Sequence, residues 1–76
     1  MKEKIINILK DIRPEYDFME NVNFIDEGML DSFDVVTLVS TLDDDFNISI
    51  DGVDILPENF SSVEKIMELL KKKGVQ

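Results

Sequence analysis

The chain has 76 residues, with no cysteine and no histidine among them. Without cysteine there is no disulfide framework and no thiolate metal site. Without histidine a serine lacks the base that ordinarily turns its hydroxyl into a nucleophile. No run of 18 or more apolar residues occurs, so no membrane span is expected. The segment from Met1 to Asn7 has no long apolar stretch and no small-residue cleavage site, and so does not read as a secretory signal. The expectation is a soluble cytoplasmic monomer forming one domain over residues 1–76, with a thin core.

Basic residues are missing from the whole middle of the chain. Residues 14–64 contain neither Lys nor Arg, yet hold 14 of the 17 acids. The two ends carry all eight cations against three acids, so the middle bears −14 and the ends +5. Such a surface repels nucleic acid and anionic lipid, and attracts basic protein surfaces. A generic acidic, solvated face has the same composition.

What is present is a helical pattern. Over residues 2–13, Ile5, Ile8, Leu9 and Ile12 mark one buried face, and Pro14 ends the helix. Residues 14–31 show no period and read as a loop of 18 residues, pinned by Tyr16, Phe18, Val22, Phe24, Ile25 and Leu30. Ser32–Phe46 is the second helix, with Asp31 as N-cap and Val35, Leu38, Val39, Leu42 and Phe46 facing the core. Its other stripe, Phe33, Val36, Thr37, Ser40 and Asp44, is apolar at one end and acidic at the other. Either it is a docking surface or Phe33 covers the long loop. Residues 47–50 form an extended link, and residues 51–60, with Gly52 and Pro57, allow only a short helical turn. Residues 61–73 form the last long helix, with Ser61 and Glu64 as a capping box, Val63, Ile66, Met67 and Leu70 buried, and Gly74 just past its end.

The stretch Asp26-Glu27-Gly28-Met29-Leu30-Asp31-Ser32-Phe33-Asp34 places a serine directly after an aspartate at the start of an amphipathic helix. With no base in the chain to activate it, Ser32 reads as a hydroxyl that another enzyme modifies. Three other readings compete. Asp43, Asp45, Asn47, Ser49, Asp51 and Asp54 have the spacing of a calcium loop, but Ile48 stands where the sharp turn needs Gly, and Asp54 where a bidentate Glu is usual; no metal site is expected. Paired carboxylates do acid–base work only in a cleft, for which a chain of this size has little room. The third is an acidic interaction module in which Ser32 is only part of a helix cap.

This order of elements, with Asp31-Ser32-Phe33 preceded by Gly28 and followed by Val36, Leu38, Leu42 and Phe46, resembles the acyl carrier protein family, which includes peptidyl and D-alanyl carriers. The resemblance covers nearly the whole chain and implies an all-α fold, a small four-helix bundle of three long helices and one short one. It implies that Ser32 receives 4′-phosphopantetheine from coenzyme A, and that the thiol of this arm carries an acyl or aminoacyl group as a thioester. It implies a carrier rather than an enzyme. Its partners would be a phosphopantetheinyl transferase, an acyl- or aminoacyl-loading ligase or transferase, and downstream acyl-using enzymes. On this resemblance Asp31 and Asp34 assist at the attachment site, where they could help to recruit Mg²⁺ and a basic transferase surface. Phe33, Val36, Thr37, Ser40, Asp43 and Asp44 would form the partner surface. Thr37 stands where fatty-acid carriers often have Glu. The Gly28-Met29-Leu30 lead-in and the long connection ending in Pro57-Glu58-Asn59-Phe60 lean toward the D-alanyl and peptidyl carriers.

Overall fold

A computed structural model describes residues 1–19 and 22–75; Glu20, one of the acids counted above, lies outside them. Among the described residues the chain forms α1 (Lys2–Ile12), α2 (Ser32–Phe46) and α3 (Val63–Lys72), with 3₁₀ turns at Gly52–Asp54 and Pro57–Phe60 and no strand. The short helix expected between α2 and α3 is the four-residue turn Pro57–Phe60. Proline at its first position fits a helical start, and the chain extends again at Ser62 to cap α3, which leaves no room for a longer helix.

One apolar cluster holds these elements together. α1 contributes Ile5, Ile8 and Leu9, α2 contributes Val35, Leu38, Val39 and Leu42, and α3 contributes Val63, Ile66, Leu69 and Leu70. Between the helices lie the fully buried rings of Phe18, Phe24 and Phe60. Phe18 and Phe24 meet edge to face, with ring centres 5.0 Å apart. Burying such side chains is the main favourable term in a domain this small.

The loop between α1 and α2 is organised rather than slack. Asn23 Oδ1 accepts from the amides of Ile25 and Asp26, which starts a turn. Gly28 continues that turn at φ +72°, a left-handed conformation that costs glycine little. The Phe24 carbonyl accepts from the amides of both Met29 and Leu30, while the Phe24 amide donates to the Ser61 carbonyl at 2.7 Å. With Met29 and Leu30 also buried, the segment is locked to the core and delivers Asp31 to the head of α2.

The remaining joints use caps. Asn47 ends α2 in a left-handed conformation. At the end of α3, the Gly74 amide reaches the Lys71 carbonyl and the Val75 amide the Leu70 carbonyl, with Gly74 at φ +91°. The start of α3 corrects the expected capping box. Ser62, not Ser61, caps the helix and accepts from the Lys65 amide at 3.1 Å. Ser61 is buried and donates to the Glu58 carbonyl, closing the preceding 3₁₀ turn. No helix among the described residues is long and apolar enough to cross a membrane.

Candidate functional site

Ser32 is the first residue of α2 and is exposed. Its position is set by a reciprocal cap. Asp31 Oδ1 accepts from the Asp34 amide at 2.8 Å, and Asp34 Oδ2 accepts from the Asp31 amide at 3.1 Å. These bonds satisfy groups that a helix start leaves open and fix the backbone on both sides of the serine.

The two carboxylates are not equivalent. Asp31 is exposed, whereas Asp34 is only 9% exposed. Asp34 turns inward to Arg13, whose Nε donates to Asp34 Oδ2 at 2.8 Å. Asp34 therefore does not stand open beside Asp31 toward a divalent cation; it forms the inner half of the cap. Arg13 also reaches Asp31 Oδ2 through Nη2 and Glu15 Oε2 through Nη1, both at 3.4 Å. The Asp34 amide holds the Asp31 carboxyl below its ordinary range, with the Arg13 charge helping and partial desolvation opposing. The hydrogen bond and charge of Asp34 raise the Arg13 guanidinium further above its already high value.

Beside Ser32 lies an open groove of about 530 Å³. Ile25, Leu30, Val35, Val36, Ile55 and Pro57 line it, with Ser32 and Asp31 at its rim. A smaller pocket of about 220 Å³ between α1 and α3 lies away from Ser32, and its one hydroxyl, Ser62, caps α3. The wall of the main groove comes from the long loop, the head of α2 and the 3₁₀ region, three segments that only the fold brings together.

Phe33 and Val36 stand 80% and 62% exposed, so Phe33 does not cover the loop. Thr37, Ser40 and Asp44 continue this exposed face along α2, and Thr37 Oγ1 donates to the Phe33 carbonyl at 3.2 Å. Asp43 stands apart from them. It is half-buried, and its Oδ1 accepts from the Ile50 amide at 3.0 Å, tying down the link after α2. The calcium-loop spacing comes to nothing here, because Asp51 and Asp54 grip Lys73 Nζ at 2.9 and 2.8 Å. Among the described residues no group of three or more acids is arranged to hold a metal ion.

Two parts of this site escaped the sequence reading. Arg13 is not among the site residues singled out from the sequence; its place immediately before Pro14, at the border of the acidic segment, is the signal that points to it. Ile55 and Pro57 read as connection; the apolar run of Val53, Ile55 and Leu56 before Pro57 hinted at a surface, and Val53 is 80% exposed.

Comparison with known proteins bears on the same residues. Residues 3–70 match the family described as phosphopantetheine attachment site. The chain is also similar to the acyl carrier protein of Buchnera aphidicola subsp. Schizaphis graminum (strain Sg), with 30% identity over 72 residues, covering 95% of this chain and 87% of that protein. No solved structure matches the chain.

Proposed function

The chain belongs to the acyl carrier protein family, and from that premise we propose that Ser32 bears the 4′-phosphopantetheine arm. When bound, the arm supplies a thiol that carries an acyl or aminoacyl group as a thioester. The observation that carries the assignment is the position of Ser32: an exposed hydroxyl at the first turn of α2, on the rim of an apolar groove. The donor set suits the group. A helix N-terminus favours the phosphodiester, and the groove offers apolar surface to what hangs from it.

Other serines fit less well. Ser61 is buried with its hydroxyl bonded, and Ser62 caps α3. Ser40 and Ser49 are exposed but do not line the groove.

In the modification, Ser32 Oγ attacks the pantetheine-bearing phosphorus of coenzyme A. An Oγ–P bond forms, the P–O bond to the leaving adenosine 3′,5′-bisphosphate breaks, and the hydroxyl proton passes to a base of the transferase. Asp31 and Asp34 hold the serine's backbone during this step. The chain itself then catalyses nothing. It works as one carrier domain over residues 1–76, a cytoplasmic monomer with the Pro57–Phe60 turn as the short fourth helical element of its bundle.

Partners are the phosphopantetheinyl transferase, a loading ligase or transferase, and the enzymes that use the cargo. They dock on Phe33, Val36, Thr37, Ser40 and Asp44, with Asp43 adding charge at the edge. A basic partner surface approaches such a face quickly and in a salt-sensitive way. Thr37 leaves the middle of that face uncharged, which favours an aminoacyl carrier, such as a D-alanyl carrier, over a fatty-acid one.

The test is intact mass after incubation with coenzyme A and a broad-specificity phosphopantetheinyl transferase. A gain of one phosphopantetheinyl group is expected in the wild type and none in Ser32→Ala. A folded wild type that gains nothing, or a Ser32→Ala that still gains the group, overturns the assignment.

A further inference from the structure

Arg13 does not line the groove, yet it pairs with three carboxylates, those of Glu15, Asp31 and Asp34. It leaves the end of α1 and meets the head of α2 across 21 residues of sequence. The oxygen it grips most tightly, Asp34 Oδ2, is the same atom that accepts the Asp31 amide. Its second arm touches Asp31 Oδ2, while Asp31 Oδ1 holds the Asp34 amide. The guanidinium therefore closes a ring through both halves of the cap, and Ser32 sits on the backbone inside that ring.

We propose that Arg13 is a positioning residue for the modification of Ser32, acting through Asp34 and Asp31 to fix the first turn of α2 and offset its carboxylate charge. The proposal rests on the assignment of Ser32 as the attachment site.

Two physical points support it. A capping box is complete with its two carboxylates and two amides and needs no cation. The Arg13 contacts are additional, and at 2.8 Å the main one has the length of a strong charge-assisted hydrogen bond. The second point is charge. The incoming phosphoryl group is anionic, and Asp31, Asp34 and Glu15 all lie at this corner, whereas residues 14–64 supply no cation to counter them. Arg13 is the one cation that bonds to these carboxylates among the described residues. Its planar fork spans Asp34 and Asp31 together, which a lysine ammonium cannot do in the same way.

The experiment measures initial rates of modification by intact mass, with carrier concentration varied, for wild type, Ser32→Ala, Arg13→Gln, Arg13→Lys and the pair Arg13→Gln/Asp34→Asn. Folding of each is checked by thermal melting. A misplaced or electrostatically repelled serine lowers kcat. Partial unfolding lowers the competent fraction and raises the apparent KM while leaving kcat intact.

The expected result for Arg13→Gln is a kcat reduced about tenfold with little change in KM. Arg13→Lys should recover part of the loss but remain roughly threefold below wild type. The double variant should be no slower than Arg13→Gln, since both changes break one linkage. A folded Arg13→Gln with wild-type kcat overturns the proposal, and so does a defect confined to KM. Should Arg13→Gln not fold, a wild-type kcat in Arg13→Lys overturns it equally. A wild type that takes up no group, or a Ser32→Ala that does, instead refutes the attachment site itself.

Discussion

Lys73 reaches back from the end of α3 to Asp54, with Nζ and Oδ2 2.8 Å apart, and meets Asp51 at 2.9 Å with the same ammonium. The contact ties the last helix to the 3₁₀ turn Gly52–Asp54, next to the groove residues Ile55 and Pro57. Asp54 and Asp51 hold the Lys73 pKa above its ordinary 10.5. A raised folded-state pKa contributes stability that is complete below the unfolded value and fades as pH rises through the folded value. Urea unfolding between pH 9 and 12 should therefore show wild type losing stability above about pH 10.5, with a shallower loss in Lys73→Gln. Equal slopes in the two proteins would show that the contact contributes nothing.

At the acid end the sign reverses. The folded-state pKa of Asp31 lies below 3.8, so its contribution is complete above the unfolded value and is lost as pH falls through the folded one. Asn caps helices about as well as Asp, so Asp31→Asn removes the titration without removing the cap. Acid titration of the melting temperature should show a weaker decline below pH 4 in Asp31→Asn than in wild type. Identical declines would place the acid sensitivity elsewhere.

Phe33 and Val36 stand in water at 80% and 62% exposure, so truncating them should change stability by less than about 0.5 kcal/mol. Their expected effect is on partner enzymes. Phe33→Ala should weaken binding to the transferase by about tenfold, roughly 1.4 kcal/mol, as loss of a central apolar anchor does. Titration calorimetry or surface binding measures this. Affinity should also fall steeply with added salt, because the rest of the face is acidic. Unchanged affinity in Phe33→Ala would move the docking surface off the start of α2.

The net charge of −9 makes self-repulsion a general cost of compactness. Millimolar Mg²⁺ or Ca²⁺ at low ionic strength should raise the melting temperature. Because Asp51 and Asp54 are engaged by Lys73, sodium chloride at sufficient concentration should give the same rise. A large calcium-specific stabilisation would show a built site that the acid arrangement does not display.

The helices were legible because their signals are local. The bounds of α2 follow from Asp31 as cap and from the apolar spacing from Val35 to Leu42. Pro14 ended α1, and Gly74 marked the end of α3. The cap of α3 was misplaced by one residue, Ser61 for Ser62, because both are good caps. The choice between them depends on the Glu58 carbonyl, which takes the Ser61 hydroxyl, and on the Phe24 amide, which takes the Ser61 carbonyl. The groove and the Arg13 ring were not legible for the same reason. The ring joins residues 18 and 21 positions apart, and the groove brings Ile25 to Pro57, 32 positions away; no periodic pattern records such meetings. Asp34 is expected at the attachment site beside Asp31, and nothing local in the sequence shows that it turns inward to meet Arg13 from α1.

The most direct measurement is to digest the modified protein and locate the phosphopantetheinyl group by tandem mass spectrometry. The exposed serines at 40 and 49 make this informative, since each offers a hydroxyl to solvent as Ser32 does. The expected result is a single modified site at Ser32, with the arm released from that peptide alone on fragmentation. A group found on Ser40 or Ser49, or found nowhere in a folded protein, would contradict the account at its centre.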